Sequence, residues 1–337
     1  MLMTIRHPTI LLTGATGYIG SHTWLALQAA GLRVLGLDDF SNSSPEVLKR
    51  LERLSGAVPV FERADVRDRA ALHRLFERHA PEAVVHFAAR KSVGESVARP
   101  LDYYANNLGG LFQLCEVMQA AGCRRMVFSS SATVYGVPER LPIAEDAALS
   151  ATNPYGQTKL IGEQILRDLG AADPAWQTAC LRYFNPVGAH DSGRIGEDPR
   201  GTPNNLMPYV AQVAIGRLAK LQIYGDDYDT ADGTGVRDYI HVCDLAEGHV
   251  AALRHLLDAG QSLTVNLGTG RGYSVREVLA AAAQLLGRPV PHTLGAARAG
   301  DPPELIAAAD KARQRLGFVA ERSELPVLLE DALRSRR

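Results

Sequence analysis

The sequence predicts an α/β protein built on a doubly wound, mostly parallel sheet covered by helices. Short β-branched or apolar runs alternate with helical patterns through the first half of the chain, which is typical of repeated βα units. The first of these runs leads directly into three closely spaced glycines, as expected where such a fold turns from strand to helix. At 337 residues, the chain exceeds the roughly 250–300 residues at which single cores stop growing, so two lobes are expected.

Six segments of the first half have the length and composition of buried strands. They are residues 9–13, 33–37, 58–61, 83–87, 125–130 and 178–184. Helical patterns lie between them, at 18–30, 45–54, 68–79, 100–121 and 154–170. Strands that alternate with helices in this way predict the parallel order of the sheet.

The alternation breaks after the sixth strand, in a segment rich in Gly, Pro and Asp. A helix is predicted near 206–219, and the segments DYIHV and LTVNLG are expected to add strands to the main sheet. The lobes are therefore expected to interleave along the chain. We assign residues 1–184 to a first, Rossmann-like domain, with strands near 238–267 joining it, and residues 185–337 mainly to a second domain.

Charge and cysteine usage argue against several classes of protein. A formal net charge of −1 argues against nucleic acid or an anionic membrane as the main partner, because such binders carry a basic excess. The four cysteines are scattered, without a CxxC pair or a His at metal spacing. They are expected to be small core residues in a reducing compartment, with no metal bound. The N-terminal segment predicts neither a signal peptide nor a membrane span, so a cytoplasmic location is expected.

A cofactor-binding loop is predicted directly after the first strand. Gly14, Gly17 and Gly20 are spaced three residues apart, which permits a tight turn and lets the backbone approach a pyrophosphate at a helix start. The second strand ends at Asp38, eighteen residues beyond Gly20. An acid there accepts both hydroxyls of an adenosine ribose and repels a 2′-phosphate, so NAD is predicted rather than NADP.

Two further polar residues follow later strands. Asp65 is expected to bond the adenine edge, to cap the next helix, or both. Lys91 follows small residues at the end of the fourth strand, where a ribose hydroxyl and solvent are its alternative partners. The sequence leaves both choices open.

The segment NPYGQTK places a tyrosine and a lysine on one face of a predicted helix. Asn153 suits an N-cap, and Pro154 suits the first helical position, where its missing N–H costs nothing. Tyr155 then falls in the first turn, and Lys159 lies one turn later. Such pairs are common on solvated helix surfaces, but here the cofactor loop precedes them in the same chain.

The chemistry open to this pair depends on the pKa of the phenol. Lowering a tyrosine pKa from ~10 to ~7 requires ~4 kcal/mol in favour of the phenolate, more than a surface ion pair supplies. The Lys159 ammonium, the amides of the helix start and an oxidised nicotinamide together can supply it. We therefore predict that Tyr155 is the general base, and that Lys159 lowers its pKa and bonds the nicotinamide ribose.

A third residue is needed to orient the substrate hydroxyl. Ser129, Ser130 and Ser131 end the fifth strand, at the edge of the sheet where ligands bind in such folds. Ser131 is predicted to bond the reacting oxygen. Turn chemistry is the alternative for serines at a strand end, and it is the interpretation favoured for Ser129.

These motifs carry a family resemblance that covers nearly the whole chain. The segments TGATGYIGSH, FSSSATVYG, NPYGQTK, LRYFNPVGAH, NNLMPY and DGTGVRDYIHV together resemble the UDP-glucose 4-epimerases of the extended short-chain dehydrogenase/reductase superfamily. The resemblance implies a tightly held NAD that is reduced and reoxidised within one turnover. It also implies that Tyr155 removes the proton of the sugar 4-OH while hydride leaves C4. The 4-keto sugar, anchored by its UDP, then turns over and is reduced on its other face, which interconverts UDP-glucose and UDP-galactose.

The resemblance assigns roles to individual residues. Those implied at NAD are Gly14, Gly17, Tyr18, Ile19, Gly20, Asp38, Asp65, Val66, Phe87, Ala88, Lys91, Asn106, Tyr155, Lys159 and Phe184. Those implied at the UDP-sugar are Ser131, Tyr155, Asn185, Asn205, Leu206, Arg237, Arg298, Asp301 and Leu305. Arg237 and Arg298 would neutralise the phosphates through planar guanidinium groups, and Asp301 would bind the uridine ribose. Phe184 would line the sugar pocket, with a purely structural core role as its alternative.

One position departs from the family pattern. Members restricted to glucose and galactose often carry a tyrosine where this chain has Leu305, and the tyrosine closes the pocket beside the C2 substituent of the hexose. The shorter leucine predicts that UDP-N-acetylglucosamine and its galactosamine epimer are accepted as well.

Other functions stay open to different degrees. Nucleotide-sugar dehydratases resemble a pattern with an acidic pair where this chain has Ala132-Thr133, so dehydration is not expected. Epimerases for UDP-pentoses or UDP-uronic acids remain open, because no motif reads the C5 group. A non-catalytic NAD(H)-sensing protein is disfavoured, since the Ser, Tyr and Lys set is complete. A homodimer built through the helices near 100–121 and 154–170 is expected from the resemblance, although the sequence also permits a monomer.

Overall fold

The computed structural model describes residues 8–198, 203, 205–297 and 301–335. Its strands are β1 (Thr9–Thr13), β2 (Arg33–Asp38), β3 (Val60–Arg63), β4 (Ala83–His86), β5 (Arg125–Ser131), β6 (Gln177–Tyr183), β7 (Asn185–Val187), β8 (Leu221–Tyr224), β9 (Val236–His241), β10 (Leu263–Leu267), β11 (Gly272–Ser274), β12 (His292–Gly295) and β13 (Glu304–Leu305). Its α-helices are α1 (Tyr18–Ala29), α2 (Glu46–Ser55), α3 (Arg69–His79), α4 (Val93–Ala98), α5 (Pro100–Tyr103), α6 (Gly109–Ala120), α7 (Pro154–Ala172), α8 (Leu206–Ala214), α9 (Val242–Asp258), α10 (Val275–Leu286), α11 (Asp310–Leu316) and α12 (Leu325–Arg334). A π-helical turn (Tyr104–Leu108) and a 3₁₀ turn (Ala132–Tyr135) complete the set.

The main sheet has seven strands in the order β10-β6-β5-β4-β1-β2-β3. The pairings from β3 through β2, β1 and β4 to β5 are all parallel. Strand β1 therefore lies inside the sheet, between β2 and β4, and the strand order reverses beside it, as in doubly wound dinucleotide-binding folds. The predicted α/β class is confirmed, and ligands are expected at the carboxyl ends of β1, β2, β4 and β5.

Most of the predicted elements of the first half are present, with ends shifted by one or two residues. The segment predicted as one helix over 100–121 differs more. It consists of α5, the π-helical turn and α6. The predicted helix near 206–219 ends early, at Ala214, since Gly216 adopts a left-handed φ of 76° that stops it.

One strand prediction is wrong. DYIHV was expected in the main sheet, but β9 is the centre of a separate four-stranded sheet, where it pairs with β7, β11 and β13. LTVNL, by contrast, forms β10 at the edge of the main sheet. Strands β8 and β12 form a further two-stranded parallel sheet.

The chain divides into two compact units that alternate along the sequence. Unit 1 contains residues 1–130, 153–181 and 249–264, and unit 2 contains residues 131–152, 182–248 and 265–337. Each unit has a hydrophobic core of its own: in unit 1 it includes Leu11, Val84 and Phe128, and in unit 2 it includes Val210, Tyr239 and Leu328.

Neither a membrane-spanning helix nor a metal-binding cluster is found among the described residues. No helix there is both long and apolar enough to cross a bilayer. Likewise, no group of three or more His, Cys, Asp or Glu side chains in that part of the chain is arranged to hold a metal ion.

A glycine inside strand β2 fixes how closely helix α1 approaches the sheet. Gly36 is buried, and a Cβ placed on it would overlap the ring of the fully buried Trp24. Glycine within a strand usually marks such a close approach. The Trp24 ring of α1 thus packs directly against the Gly36 backbone of β2, and this contact sets the distance between the helix and the sheet.

Gly36→Ala is therefore expected to lower the free energy of unfolding by ~1–3 kcal/mol, because the added methyl group overpacks the contact with Trp24. The measurement is the urea midpoint of purified protein. The matched control is Gly94→Ala on α4, where a Cβ would meet nothing within 4 Å and where the substitution is expected to be neutral or to stabilise by up to ~1 kcal/mol. Equal midpoints for the two variants would contradict the packing argument.

Candidate active site

The glycine loop between β1 and α1 lies against the backbone of the two residues that follow strand β4. Gly14 has a left-handed φ of 67°, and a Cβ on it would lie 2.8 Å from the Ala88 nitrogen. A Cβ on Gly20 would overlap the Gly14 carbonyl oxygen. Gly17 precedes α1 without a side-chain cap. A tight backbone cradle that ends at an uncapped helix start fits the pyrophosphate of a dinucleotide.

Tyr18 and Ile19, also predicted at the cofactor, are the first two residues of α1, and both are half-buried. Phe87 and Ala88 are half-buried and directly follow β4, the strand next to β1. The Ala88 amide donates to Thr13 Oγ1 at 3.3 Å, and the Phe87 ring packs on His249 with 4.7 Å between ring centroids. Two of these four residues therefore begin the helix that follows the glycine cradle, and the other two lie in the segment after β4 that the cradle contacts.

Asp38 closes the neighbouring strand β2 and faces the same loop. Its side chain is 9% exposed. Oδ2 accepts the Thr16 N–H at 3.0 Å, and Oδ1 accepts the Phe40 N–H at 2.9 Å. Ser43 Oγ also donates to Oδ1, at 3.4 Å. A carboxylate has about four acceptor sites, so these three bonds fix its orientation and leave capacity to accept from a ribose hydroxyl.

Asp65 does not cap the helix that follows it. Asp68 is the N-cap of α3 and accepts the Ala71 N–H at 3.0 Å. Asp65 instead forms an ion pair with Arg67, and this hydrogen-bonded guanidinium holds the pKa of Asp65 below its ordinary value. The capping alternative for Asp65 is therefore wrong. Val66 is buried and lies against Gly110 of α6, where a Cβ would clash with it.

The π-helical turn places two asparagines beside the loop after β4. Asn106, predicted at the nicotinamide end, donates to Asn107 Oδ1 at 3.0 Å. Asn107 also accepts from the Arg90 N–H at 2.8 Å and donates to Thr158 Oγ1 of α7 at 3.0 Å. Sequence reasoning did not single out Asn107. The only signal in the sequence is that two asparagines, Asn106 and Asn107, are adjacent. Lys91 follows Arg90 and is exposed.

The predicted N-terminus of α7 is confirmed in detail. Asn153 Oδ1 accepts the Gly156 N–H at 2.9 Å, and Pro154 occupies the first helical position. Tyr155 is half-buried in the first turn. The Lys159 ammonium lies 5.9 Å from the centroid of the Tyr155 ring. The tyrosine and the lysine therefore share one face of the helix.

Lys159 is a buried lysine that is bonded to strand β5. Its side chain is 4% exposed, and Nζ donates to the Ser129 carbonyl oxygen at 2.6 Å. Burial lowers the pKa of Lys159 to about 7, and the Glu163 carboxylate acts in the opposite direction. The ammonium also lies 5.1 Å from the centroid of the Phe128 ring, within cation–π range.

The three serines at the end of β5 have three different surroundings. Ser129 supplies its carbonyl to Lys159, and Ser130 Oγ donates to Glu163 Oε1 at 2.5 Å. Ser131 Oγ accepts the Thr133 N–H at 3.2 Å and caps the 3₁₀ turn. The Ser131 hydroxyl also accepts from Thr133 Oγ1 at 3.0 Å. The serine whose side chain bonds to the turn is therefore Ser131, and not Ser129 as was predicted.

Several residues predicted at the substrate meet around strand β9 in unit 2. Arg237 is in register with Leu305 of β13, and Asn185 of β7 is in register with Tyr239. The Arg237 guanidinium donates to the Pro303 carbonyl oxygen at 3.2 Å and lies 3.6 Å from Asp301 Oδ1. The small sheet thus brings a guanidinium, an amide and a carboxylate into one neighbourhood.

The other predicted substrate residues are more dispersed. Asn205 is exposed at the start of α8 and donates to Glu197 Oε1 at 3.1 Å. Leu206 begins α8 and packs against the core of unit 2. Phe184, directly after β6, is 6% exposed. Arg298 lies outside the described residues.

Comparison with known proteins agrees with this arrangement. Residues 10–268 match the family model described as the NAD dependent epimerase/dehydratase family. The UDP-glucose 4-epimerase of Bacillus subtilis (strain 168) is 57% identical over 313 residues, which cover 93% of this chain and 92% of that protein.

Solved structures agree as well. The UDP-glucose 4-epimerase of Stenotrophomonas maltophila, with bound NAD and formylated UDP-arabinopyranose, superposes with a TM-score of 0.96 at 49% identity, covering 98% of both chains. That of Bifidobacterium longum, in complex with NAD+ and UDP, has a TM-score of 0.93 at 48% identity, covering 97% of this chain and 98% of that one. The chain therefore belongs to the NAD dependent epimerase/dehydratase family.

Proposed function

We propose that this protein is a UDP-glucose 4-epimerase, which interconverts UDP-glucose and UDP-galactose with a tightly bound NAD. The observation that carries the reaction class is the buried Lys159 one turn from Tyr155, with Nζ bonded to the carbonyl of Ser129 on a strand that ends at Ser131. Similarity to the UDP-glucose 4-epimerase of Bacillus subtilis over 93% of the chain supports the substrate.

The residues present fit the proposed cofactor. The cradle has no room for a side chain at Gly14 or Gly20 and would hold the pyrophosphate, and Asp38 would accept the adenosine ribose hydroxyls. Lys159 and Asn106 would secure the nicotinamide end. When bound, NAD supplies the reversible oxidation at C4 of the sugar.

Tyr155 is the proposed base for the sugar 4-OH. A buried Lys159 with a pKa of about 7 is costly as an isolated ammonium, but a phenolate next to it compensates that charge. The same low-dielectric surroundings strengthen the attraction between the two charges. When Tyr155 gives up its proton beside a protonated Lys159, the phenolate and the ammonium form an ion pair inside the protein, and that pairing makes the phenolate accessible near neutral pH.

The remaining assignments follow the chemistry of each group. Ser131 would orient the 4-OH. Arg237 and Arg298 would neutralise the two phosphates, and Asp301 would take the uridine ribose.

A homodimer in the cytoplasm is part of the proposal. Three apolar side chains near α5 and α6 support the dimer, since they are strongly exposed: Val97 by 62%, Leu101 by 79% and Phe112 by 48%. A reducing compartment is supported by free cysteines, of which Cys115, Cys123 and Cys180 are buried.

A broader sugar specificity is supported by Leu305. Its side chain is half-buried on β13, opposite Arg237, so it lies beside a residue proposed to bind the substrate. Leucine leaves more space there than the tyrosine of restricted family members. UDP-N-acetylglucosamine and UDP-N-acetylgalactosamine are therefore proposed as a second substrate pair.

The first prediction tests the reaction itself. Without added NAD, purified protein is expected to convert UDP-galactose to UDP-glucose and to release a nicotinamide cofactor on denaturation. Tyr155→Phe is expected to lower kcat by ~10²–10⁴-fold, because general-base catalysis is lost, and to keep its cofactor. The control is Tyr224→Phe, on the partly exposed strand β8. A Tyr155→Phe enzyme as fast as the unaltered protein would refute the role of the phenol.

The second prediction concerns Leu305. The unaltered enzyme is expected to epimerise the N-acetylated substrates. Leu305→Tyr is expected to reduce kcat/KM for them by about 10-fold or more and to change that for UDP-galactose much less, because a larger side chain excludes only the larger substituent. Leu305→Met is the control of similar volume. If the unaltered enzyme already excludes both acetylated sugars, the assignment of this position is wrong.

The third prediction concerns assembly. The double variant Leu101→Asp with Phe112→Asp is expected to shift the sedimentation mass from twice 36.3 kDa to 36.3 kDa, because two buried carboxylates would be unpaired in the interface. Val319→Asp, also exposed at an apolar position, is the control and should leave the mass unchanged. A double variant that still sediments as a dimer would place the interface elsewhere.

A further inference from the structure

Glu163 is a buried carboxylate to which the proposed reaction assigns no role. It is 1% exposed and lies one helical turn after Lys159 on α7. Its Oε1 accepts a hydrogen bond from Ser130 Oγ, and Ser130 is fully buried. A carboxylate is kept in a protein interior only where its charge is paired and its oxygens are bonded.

Lys159, four positions before Glu163 on the same helix, is the basic group on which this carboxylate acts. Its Nζ donates to the carbonyl oxygen of Ser129, the residue before Ser130. Two successive residues of β5 therefore hold a lysine and a glutamate that are four positions apart on α7. The carboxylate raises the pKa of Lys159, against the effect of burial.

We infer that Glu163 is a positioning residue for this chemistry: its carboxylate keeps the buried Lys159 side chain protonated beside Tyr155, and its bond to Ser130 holds α7 in place on β5. The inference rests on the proposed function for the use made of Lys159. The link between Glu163 and the proton on Lys159 is a property of the folded chain and can be measured separately.

The other groups around Lys159 do not replace this charge. On β5 the Phe128 ring offers a cation–π contact, which favours the ammonium without a formal charge. On β4 burial lowers the pKa of His86 to about 3, so that ring is neutral at physiological pH. On α7 Tyr155 becomes negative only when it has given up its proton. Glu163 is therefore the described carboxylate that acts on Lys159 in both protonation states of the tyrosine.

The first test measures the proton on Lys159 directly. The chain contains five lysines, so NMR of protein labelled with ¹³C at the lysine ε-carbon gives few signals, and the signal missing from Lys159→Arg identifies this one. In cofactor-loaded protein, the titration midpoint of Lys159 is expected to lie at least about one pH unit lower in Glu163→Gln than in the unaltered protein. Asp168→Asn, an exposed acid-to-amide change on the same helix, should leave the midpoint unchanged.

The second test measures turnover against pH. Because Glu163→Gln releases the lysine proton at lower pH, the basic limb of kcat is expected to move to lower pH. On that limb kcat should fall ~10-fold for each pH unit by which the lysine midpoint is lowered. The KM for UDP-galactose should stay within about twofold, since ground-state binding is untouched. Ser130→Ala keeps the charge, so it should lower thermal stability without moving the limb.

Two results would overturn the inference. One is an unchanged Lys159 midpoint in Glu163→Gln. The other is an equal loss of kcat at every pH, in parallel with a lower melting temperature, in both Glu163→Gln and Ser130→Ala. If the unaltered protein does not interconvert the UDP-hexoses, the proposed function fails, whereas the NMR titration still decides the role of Glu163.

Discussion

The burial of the Lys159 ammonium is the constraint on which the rest of the candidate site depends. A positive charge that is 4% exposed needs compensation from every side. The Ser129 carbonyl oxygen, the Phe128 ring and the Glu163 carboxylate provide it. All three partners lie on α7 itself or on β5, the strand beneath it. The end of β5 and the start of α7 therefore cannot move independently, and this junction sets the place of Tyr155.

A second constraint is the close packing of the backbone at the glycines of the turn after β1. The turn after β1 approaches the backbone of Phe87 and Ala88, directly after β4, so closely that Gly14 has no room for a side chain, and the turn itself leaves no room for one at Gly20. The buried Asp38 carboxylate then ties the end of β2 to the same turn through the Thr16 N–H. Strands β1, β2 and β4 are neighbours in the sheet, so the phosphate end and the ribose end of the proposed cofactor site follow from strand order alone.

Local rules predicted the parts of this arrangement that depend on neighbours in sequence. The Asn153 cap, the position of Pro154 and the shared face of Tyr155 and Lys159 all follow from helix geometry.

The errors arose where a residue's partner is distant in sequence or where several residues of one type compete. Asp68 rather than Asp65 caps α3 because it alone stands directly before the helix. Three successive serines look equivalent in sequence. The packing of α7 on β5 separates the roles of Ser129 and Ser130, and the following 3₁₀ turn sets that of Ser131. Asp238 explains the misplaced DYIHV strand: it is fully buried and accepts bonds from the Thr269, Gly270 and Ala307 amides. A carboxylate with such partners anchors a small sheet and has no place inside a parallel core strand.

An epimerase places an unusual demand on its acid and base, since the same group must take a proton and later return it to the other face of the sugar. Microscopic reversibility then favours a base whose protonated and deprotonated forms are close in free energy. A tyrosine alone is far too weak an acid for this. A protonated Lys159 beside the phenol stabilises the phenolate and so narrows the free-energy difference between the two forms of Tyr155. Burial acts against this effect, since it lowers the pKa of Lys159 to about 7. A fixed carboxylate at Glu163 prevents burial from removing the lysine charge altogether. The burial of Lys159 therefore meets two requirements. Its charge must be strong enough to lower the pKa of Tyr155, and weak enough that the proton can be returned to the sugar.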